Sequence, residues 1–198
     1  IDQLRKNFRI GEFDGEPEII AKIEHGMRGL GGLDAHVPFI RYLLSVDPGD
    51  PTVATLDAPS RRRLIFAALR TLSQRGAALR PLVLVVEDLH WADRSTRELL
   101  GFLARGLRAS AVLLVATYRS DELARGHPLR GFLAELERVR SVERFEVPRS
   151  KGTPTKQASN PCGPGAAGSR IIVAWPPKRG ITLPPSGWLN VGVSAMAS

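Results

Sequence analysis

The sequence predicts an α/β fold with a parallel sheet. Leu82–Val86 and Ala111–Ala116 are unbroken apolar runs, too short for helices and typical of strands buried on both faces. Helical patterns follow each run, to about Leu107 and over Pro128–Arg140, and Val142–Val147 is a last short strand. Strands that alternate with helices over such short connections predict crossover connections, and therefore a parallel sheet.

The residues before the first strand carry helical signals. Glu16 to Arg28 places apolar residues at helical spacing, and Val37 to Val46 is a shorter apolar helix. A third helix is predicted to begin after Asp57, whose side chain caps its first turn, and to end near Arg75.

The pattern collapses after Pro148. Residues 149–198 hold seven of the 15 prolines and seven of the 19 glycines, and only Ile171–Trp175 could form a strand. Such a segment buries too little apolar surface to offset its ordering entropy, which predicts a disordered tail. A non-native tail, such as an out-of-frame translation, is the alternative. The predicted regions are therefore 1–80, 81–148 and 149–198.

The net charge of +8 is concentrated in this tail. Residues 1–148 carry 22 basic and 20 acidic residues, whereas residues 149–198 carry six basic and no acidic ones. A basic stripe on a folded face is not indicated, so nucleic acid is expected to make only nonspecific contact with the tail.

Other features exclude several classes of protein. No apolar run approaches the roughly 18 residues of a membrane helix, and no signal-peptide pattern is present. The single Cys162 excludes an internal disulfide, and the four histidines lack metal-ligand spacing. These features predict a cytoplasmic setting without a membrane partner.

Two acidic residues, Glu87 and Asp88, follow the first predicted strand directly. Open α/β sheets bind their ligands at the carboxyl ends of their strands, so this pair is a candidate site. The alternative is a strand that simply runs into a polar loop.

A second polar group, Thr117 and Arg119, ends the neighbouring predicted strand. The Thr117 hydroxyl can hydrogen-bond to a ligand, and an arginine can pair bidentately with phosphate. Considered alone, Arg119 is more simply a solvated loop cation, because the chain is rich in arginine.

Val83–Asp93, followed by Leu114–Arg119, resembles the Walker B and sensor 1 strands of the AAA-type ATPase module in bacterial STAND signalling proteins. Leu4–Phe13 and Gly32–Pro38 resemble the branch linked to class III adenylate/guanylate cyclases; other members carry a LuxR-type helix-turn-helix. The resemblance covers residues 1–148. It implies a P-loop NTPase fold, ATP and Mg²⁺ binding, slow hydrolysis, a nucleotide-dependent switch, and other domains of the parent protein as partners.

The resemblance also implies the role of each site residue. Glu87 and Asp88 are expected to hold Mg²⁺, and Asp88 is expected to act catalytically by orienting the attacking water. Thr117 and Arg119 are expected to sense the γ-phosphate.

One element of this family is absent from the sequence. The phosphate-binding motif GxxxxGK[ST] does not occur, and Gly163–Arg170 only mimics its glycine spacing. The motif is expected upstream of Ile1, which makes the chain a truncated module with little ATP binding of its own. The alternative is a non-enzymatic remnant or interaction fragment.

The missing motif has a predicted structural cost. In the family, the strand of the phosphate loop lies between the strands that correspond to Ala111–Ala116 and Val142–Val147. Without it, the apolar edge of Ala111–Ala116 is expected to be exposed, which predicts poor solubility.

Lesser candidates are discounted. His90, Asp93 and Ser95 are residue types of a catalytic triad, but they lie within six residues and lack a GxSxG elbow. Either Asp93 or Ser95 is expected to cap the next helix, and His90 and Trp91 to pack after the strand. Arg61–Arg63 is predicted to be a solvated helix face.

Overall fold

The structure, a computed structural model, describes residues 1–107, 109–147, 169–174 and 189–194. Seven α-helices and five strands occur in these ranges, with 3-10 turns at Asp34–His36 and Leu89–Trp91. The helices are α1 (Asp2–Asn7), α2 (Glu16–Leu30), α3 (Val37–Leu43), α4 (Thr52–Thr55), α5 (Ala58–Leu79), α6 (Arg94–Gly106) and α7 (Pro128–Glu137). The strands are β1 (Leu82–Glu87), β2 (Val112–Arg119), β3 (Val142–Val147), β4 (Ser169–Ala174) and β5 (Leu189–Ser194).

The helices before β1 form a core of their own. Ile23 of α2 and Ile40 of α3 are fully buried there, together with Ala68 of α5. Asp57 caps α5, as predicted, by accepting a hydrogen bond from the Ser60 backbone N–H at 3.3 Å. The three predicted helices are confirmed, with α3 ending three residues early and α5 continuing four residues further.

The sheet is mixed, which corrects the prediction of a parallel sheet. Its strand order is β3-β4-β2-β1-β5. β1 runs parallel to β2 and β5, whereas β4 runs antiparallel to β2 and β3. The predicted parallel pairing of the first two strands is confirmed, and β4 is the one reversed strand in the described sheet.

The expectation of an exposed edge on β2 is wrong. β4 pairs with β2 from Leu114 opposite Ala174 to Arg119 opposite Ser169, and it pairs with β3 on its other side. β5 covers the outer edge of β1. The backbone N–H and C=O groups on both outer sides of the β1–β2 pair therefore have hydrogen-bond partners. Buried backbone groups of folded proteins generally require such partners.

The proline-rich tail contributes these two covering strands. β4 overlaps the one predicted tail strand, Ile171–Trp175, and β5 was not predicted. The rest of the expected disordered or non-native tail, at 149–168, 175–188 and 195–198, lies outside the described residues. The division into regions 1–80, 81–148 and 149–198 stays a prediction.

One face of the central pair packs on α6 and α7. Side chains of β2 alternate, so that Val112, Leu114, Ala116 and Tyr118 are buried on this face. Leu129 of α7 is fully buried against them. The same alternation sends Thr117 and Arg119 to the opposite face, where Thr117 is half-buried and Arg119 is exposed.

None of the helices in the described ranges is long and apolar enough to cross a bilayer.

Candidate functional site

The two predicted pairs of site residues lie together at the carboxyl ends of β1 and β2. β1 ends at Glu87 and the parallel β2 ends at Arg119. Their register pairs Val86 with Ala116, which places Glu87 beside Thr117. The structure therefore brings the acidic pair and the polar pair together, as expected for the carboxyl ends of adjacent parallel strands.

Asp88 has an unusual backbone conformation at this edge. Its φ of 54° and ψ of 44° lie in the left-handed region, which non-glycine residues seldom adopt but which aspartate and asparagine adopt more often than most. The chain thereby turns sharply from β1 into the 3-10 turn Leu89–Trp91. Such a conformation is often found at functional sites, where the surroundings must hold it in place.

A hydrogen bond from the neighbouring strand holds this turn. The Asp88 backbone N–H donates to Thr117 Oγ1 at 3.3 Å. Thr117 thus contacts the backbone of the acidic pair directly.

The acidic pair suits a Mg²⁺ ion whose other ligands are waters and phosphate oxygens. Glu87 and Asp88 are both exposed, and neither carboxylate has a hydrogen-bond or ion-pair partner among the described residues. In that part of the chain, no group of three or more His, Cys, Asp or Glu side chains could form a complete metal cage. Mg²⁺ is commonly bound by one or two carboxylates, with waters and substrate phosphates as its other ligands. Glu87 and Asp88 therefore fit a Mg²⁺ ion that is bound by two carboxylates together with waters and phosphates, and not one held in a complete protein cage.

Arg119 is surrounded by carboxylates. Its two terminal nitrogens contact Asp121 Oδ2 at 3.1 Å and Glu122 Oε1 at 2.5 Å, and its side chain is 47 % exposed. Neither acidic partner was predicted from the sequence. Their spacing of two and three residues from Arg119 was the available signal, but such spacing is common in loops.

His90 is buried between the ends of β1 and β2. Its Nδ1 lies 3.5 Å from the backbone nitrogen of Arg119, which donates to it, and its Nε2 lies 2.8 Å from Glu122 Oε2. The first contact requires a bare Nδ1, so the proton is assigned to Nε2, which donates to Glu122. The prediction that His90 packs after the strand is confirmed.

The same prediction is wrong for Trp91. Its side chain is 59 % exposed, although its ring lies 5.4 Å from that of His90. The 3-10 turn directs His90 inward, and the next side chain projects outward.

Asp93, rather than Ser95, caps α6. Its carboxylate accepts a hydrogen bond from the Thr96 backbone N–H at 2.7 Å. Hydrogen bonds from Thr96 hold the pKa of Asp93 below its ordinary value, against a smaller opposing effect of burial. Asp93 is therefore occupied in helix capping and is not part of a triad.

The arginines near the start of α5 contact nearby residues of α5 and of the neighbouring elements. Arg62 pairs with Glu98 of α6 at 3.0 Å, and Arg63 donates to Ser60. Arg61 donates to the Leu56 carbonyl and lies over the Tyr42 ring. Arg62 and Arg63 are exposed, which agrees with the predicted solvated face, whereas Arg61 is partly buried.

Part of the chain is similar to known proteins. The family model described as "AAA ATPase domain" matches residues 17–115, which is half of the chain. The match includes Glu87 and Asp88 and ends two residues before Thr117. A protein of Rhizobium meliloti (strain 1021), described as "Uncharacterized protein R02095", is 39 % identical over 79 residues. That alignment covers 38 % of this chain and 7 % of the relative, and no solved structure matches.

Proposed function

The chain belongs to the AAA ATPase domain family, and from this premise we propose that it is a P-loop NTPase module whose β1–β2 edge handles Mg²⁺ and water. The proposal includes the finer family position: a nucleotide-state switch of a bacterial STAND signalling protein. The observation that supports the proposed role of the β1–β2 edge is the contact between Asp88 and Thr117. This contact joins the proposed metal-binding turn to the proposed phosphate sensor.

Each residue has a separate role in this proposal. Glu87 and Asp88 hold Mg²⁺, and Asp88 also orients the water that attacks the γ-phosphate. Bound there, Mg²⁺ supplies positive charge that offsets the negative charge of the phosphates. Thr117 fixes the backbone of the turn and offers its hydroxyl to the γ-phosphate, while Arg119 offers a guanidinium suited to phosphate.

We further propose that this chain alone binds ATP weakly. The 198 residues contain no GxxxxGK[ST] motif, which in P-loop proteins supplies the backbone cradle and the lysine for the phosphates. The β1–β2 edge supplies metal and water contacts only, so most of the binding energy for the phosphates is missing. An intact parent protein, with the motif present, would hydrolyse ATP.

The parent is proposed to be a cytoplasmic regulator with further domains. Leu4–Phe13 and Gly32–Pro38 support the branch linked to adenylate/guanylate cyclases over the LuxR-type branch. The chain spans only 7 % of the curated relative that it matches, so the activity and partners of a whole protein are proposals. Its proposed partners are ATP and the other domains of the same protein.

The absent motif also favours a second candidate, a non-enzymatic remnant or interaction fragment. The two candidates differ in what happens at Glu87 and Asp88. A remnant retains the fold without any Mg²⁺-dependent response to nucleotide at this edge.

Titration with ATP, followed by amide NMR, tests the proposal. We expect shift changes at Glu87, Asp88 and Thr117 that require Mg²⁺ and saturate only at millimolar ATP. Asp88→Asn should abolish them. Glu12→Gln, which removes one charge from an exposed residue elsewhere, should leave them unchanged. A response that is the same without Mg²⁺, or in Asp88→Asn, would refute the proposed role of this edge.

A further inference from the structure

Glu122 joins the two strand ends of the candidate site through a single carboxylate. Its Oε1 contacts a terminal nitrogen of Arg119 at 2.5 Å, and its Oε2 accepts from His90 Nε2 at 2.8 Å. Arg119 ends β2, and His90 lies two residues after Asp88. One side chain therefore contacts both the phosphate-sensing arginine and the turn that carries the acidic pair.

The guanidinium of Arg119 is already partly paired in this arrangement. Glu122 and Asp121 each engage one of its terminal nitrogens. Bidentate pairing with phosphate uses the same planar fork of donors. These contacts engage two of its five N–H donors, so a phosphate that pairs with both terminal nitrogens meets two carboxylates that compete for the same nitrogens and repel its charge.

We propose that Glu122 is a positioning residue that competes with phosphate for Arg119. This inference rests on the proposed function, since it assigns the competition to the same nucleotide site. While Glu122 holds the guanidinium, Arg119 is withheld from the ligand. When phosphate takes the guanidinium, Glu122 keeps its hydrogen bond to His90 and stays beside the turn.

Exposure and burial make the exchange possible. The Arg119 side chain is 47 % exposed and that of Glu122 is 28 % exposed, and ion pairs this close to solvent are weak. The His90 side chain, by contrast, is only 3 % exposed, so its bond to Glu122 is shielded from water. The weaker of the two contacts is the one that a polyanion would replace.

A double-mutant cycle with Mg²⁺ and sodium tripolyphosphate tests the competition. Glu122→Gln keeps the size of the side chain and an acceptor for His90 but removes the charge that attracts Arg119. We expect it to tighten tripolyphosphate binding by about five-fold in the full chain. In an Arg119→Ala background, the same substitution should change the affinity less than about two-fold, because the competition requires Arg119.

Two controls separate competition from general effects. Glu12→Gln changes the net charge equally and should leave the affinity unchanged. The long-range ¹⁵N spectrum of His90 should show the proton on Nε2 both in the natural chain and in Glu122→Gln, as evidence that the positioning contact survives. Glu122→Asp, a shorter carboxylate that retains the charge, should give an effect smaller than that of Glu122→Gln.

The outcomes distinguish this inference from the proposed function. Tightening of equal size in the Arg119→Ala background, or no tightening at all, overturns the competition. If the natural chain still responds to Mg·ATP at Glu87 and Asp88, the proposed function survives that result. If no variant responds to any phosphate, both proposals fail.

Discussion

Asp88 and Thr117 are joined by a hydrogen bond from the Asp88 backbone N–H to Thr117 Oγ1, at 3.3 Å. The bond connects the turn after β1 to the last residues of β2, and it supports a left-handed conformation that aspartate adopts only at some cost. The geometry of the acidic pair therefore depends on a side chain 29 residues further along the chain.

Replacing Thr117 with valine should loosen this turn. The variant keeps the β-branched shape but loses the acceptor, which costs about 0.5–1.5 kcal/mol for a typical hydrogen bond, and the low end is expected because Asp88 is exposed. Urea unfolding measures the loss, and Thr117→Ser, which keeps the hydroxyl, is the matched control. Equal stability of Thr117→Val and the natural chain would show that the bond contributes nothing.

Replacing His90 with alanine should be more costly. It leaves the Arg119 backbone N–H without its acceptor and removes the buried donor of Glu122, which keeps Arg119, at about 1–3 kcal/mol. The free energy of unfolding should fall by that amount. His25→Ala, on an exposed face of α2, should stay within about 0.5 kcal/mol of the natural chain. Similar losses for both variants would contradict the bridging role of His90.

The sequence predicts the central pair of strands well because their signals are local. Leu82–Val86 is an unbroken apolar run followed by two acids, and both the strand and its parallel pairing with β2 are confirmed. The cap at Asp57 is confirmed for the same reason: its partner, Ser60, lies three residues away.

The strand pairing on the outer sides of β1 and β2, and the ion pairs of Arg119, were not predicted because they depend on tertiary contacts. β5 contains Asn190 and Gly192, residue types that are depleted in strands, and it gains its hydrogen bonds by pairing with β1. Glu122 has no special sequence context, and it is recognisable as a site residue only once β1 and β2 lie side by side.

The cap of α6 predicts a pH dependence. Asp93→Ala should lower the free energy of unfolding by about 1 kcal/mol near neutral pH, since a lost N-cap costs about 0.5–2 kcal/mol. Because its folded pKa is lowered, the charged cap stabilises the protein fully above the unfolded pKa of about 3.9. The contribution should disappear as the pH falls through the lower folded pKa.

Urea unfolding across this pH range checks the prediction for Asp93. Asp93→Asn, an equally good cap without a charge, should differ from Asp93→Ala by the same free energy through the whole pH range. A difference between Asp93→Ala and the natural chain that grows below pH 4 would contradict the assignment.

Removing β4 and β5 should make the chain aggregate. A chain that ends at Val147 loses both strands and exposes the apolar edges of β1 and β2. Sedimentation at equal concentrations should show more large species for residues 1–147 than for residues 1–198. If the shorter chain is equally monodisperse, the pairing of β4 and β5 is not what protects the edges.

Paramagnetic broadening with Mn²⁺ in place of Mg²⁺ shows whether Glu87 and Asp88 bind the metal of a nucleotide site. In the presence of millimolar ATP, we expect selective broadening of the amide signals of Glu87, Asp88 and Thr117, and its loss in Asp88→Asn. Broadening spread evenly over the exposed acids, or unchanged in Asp88→Asn, would contradict it.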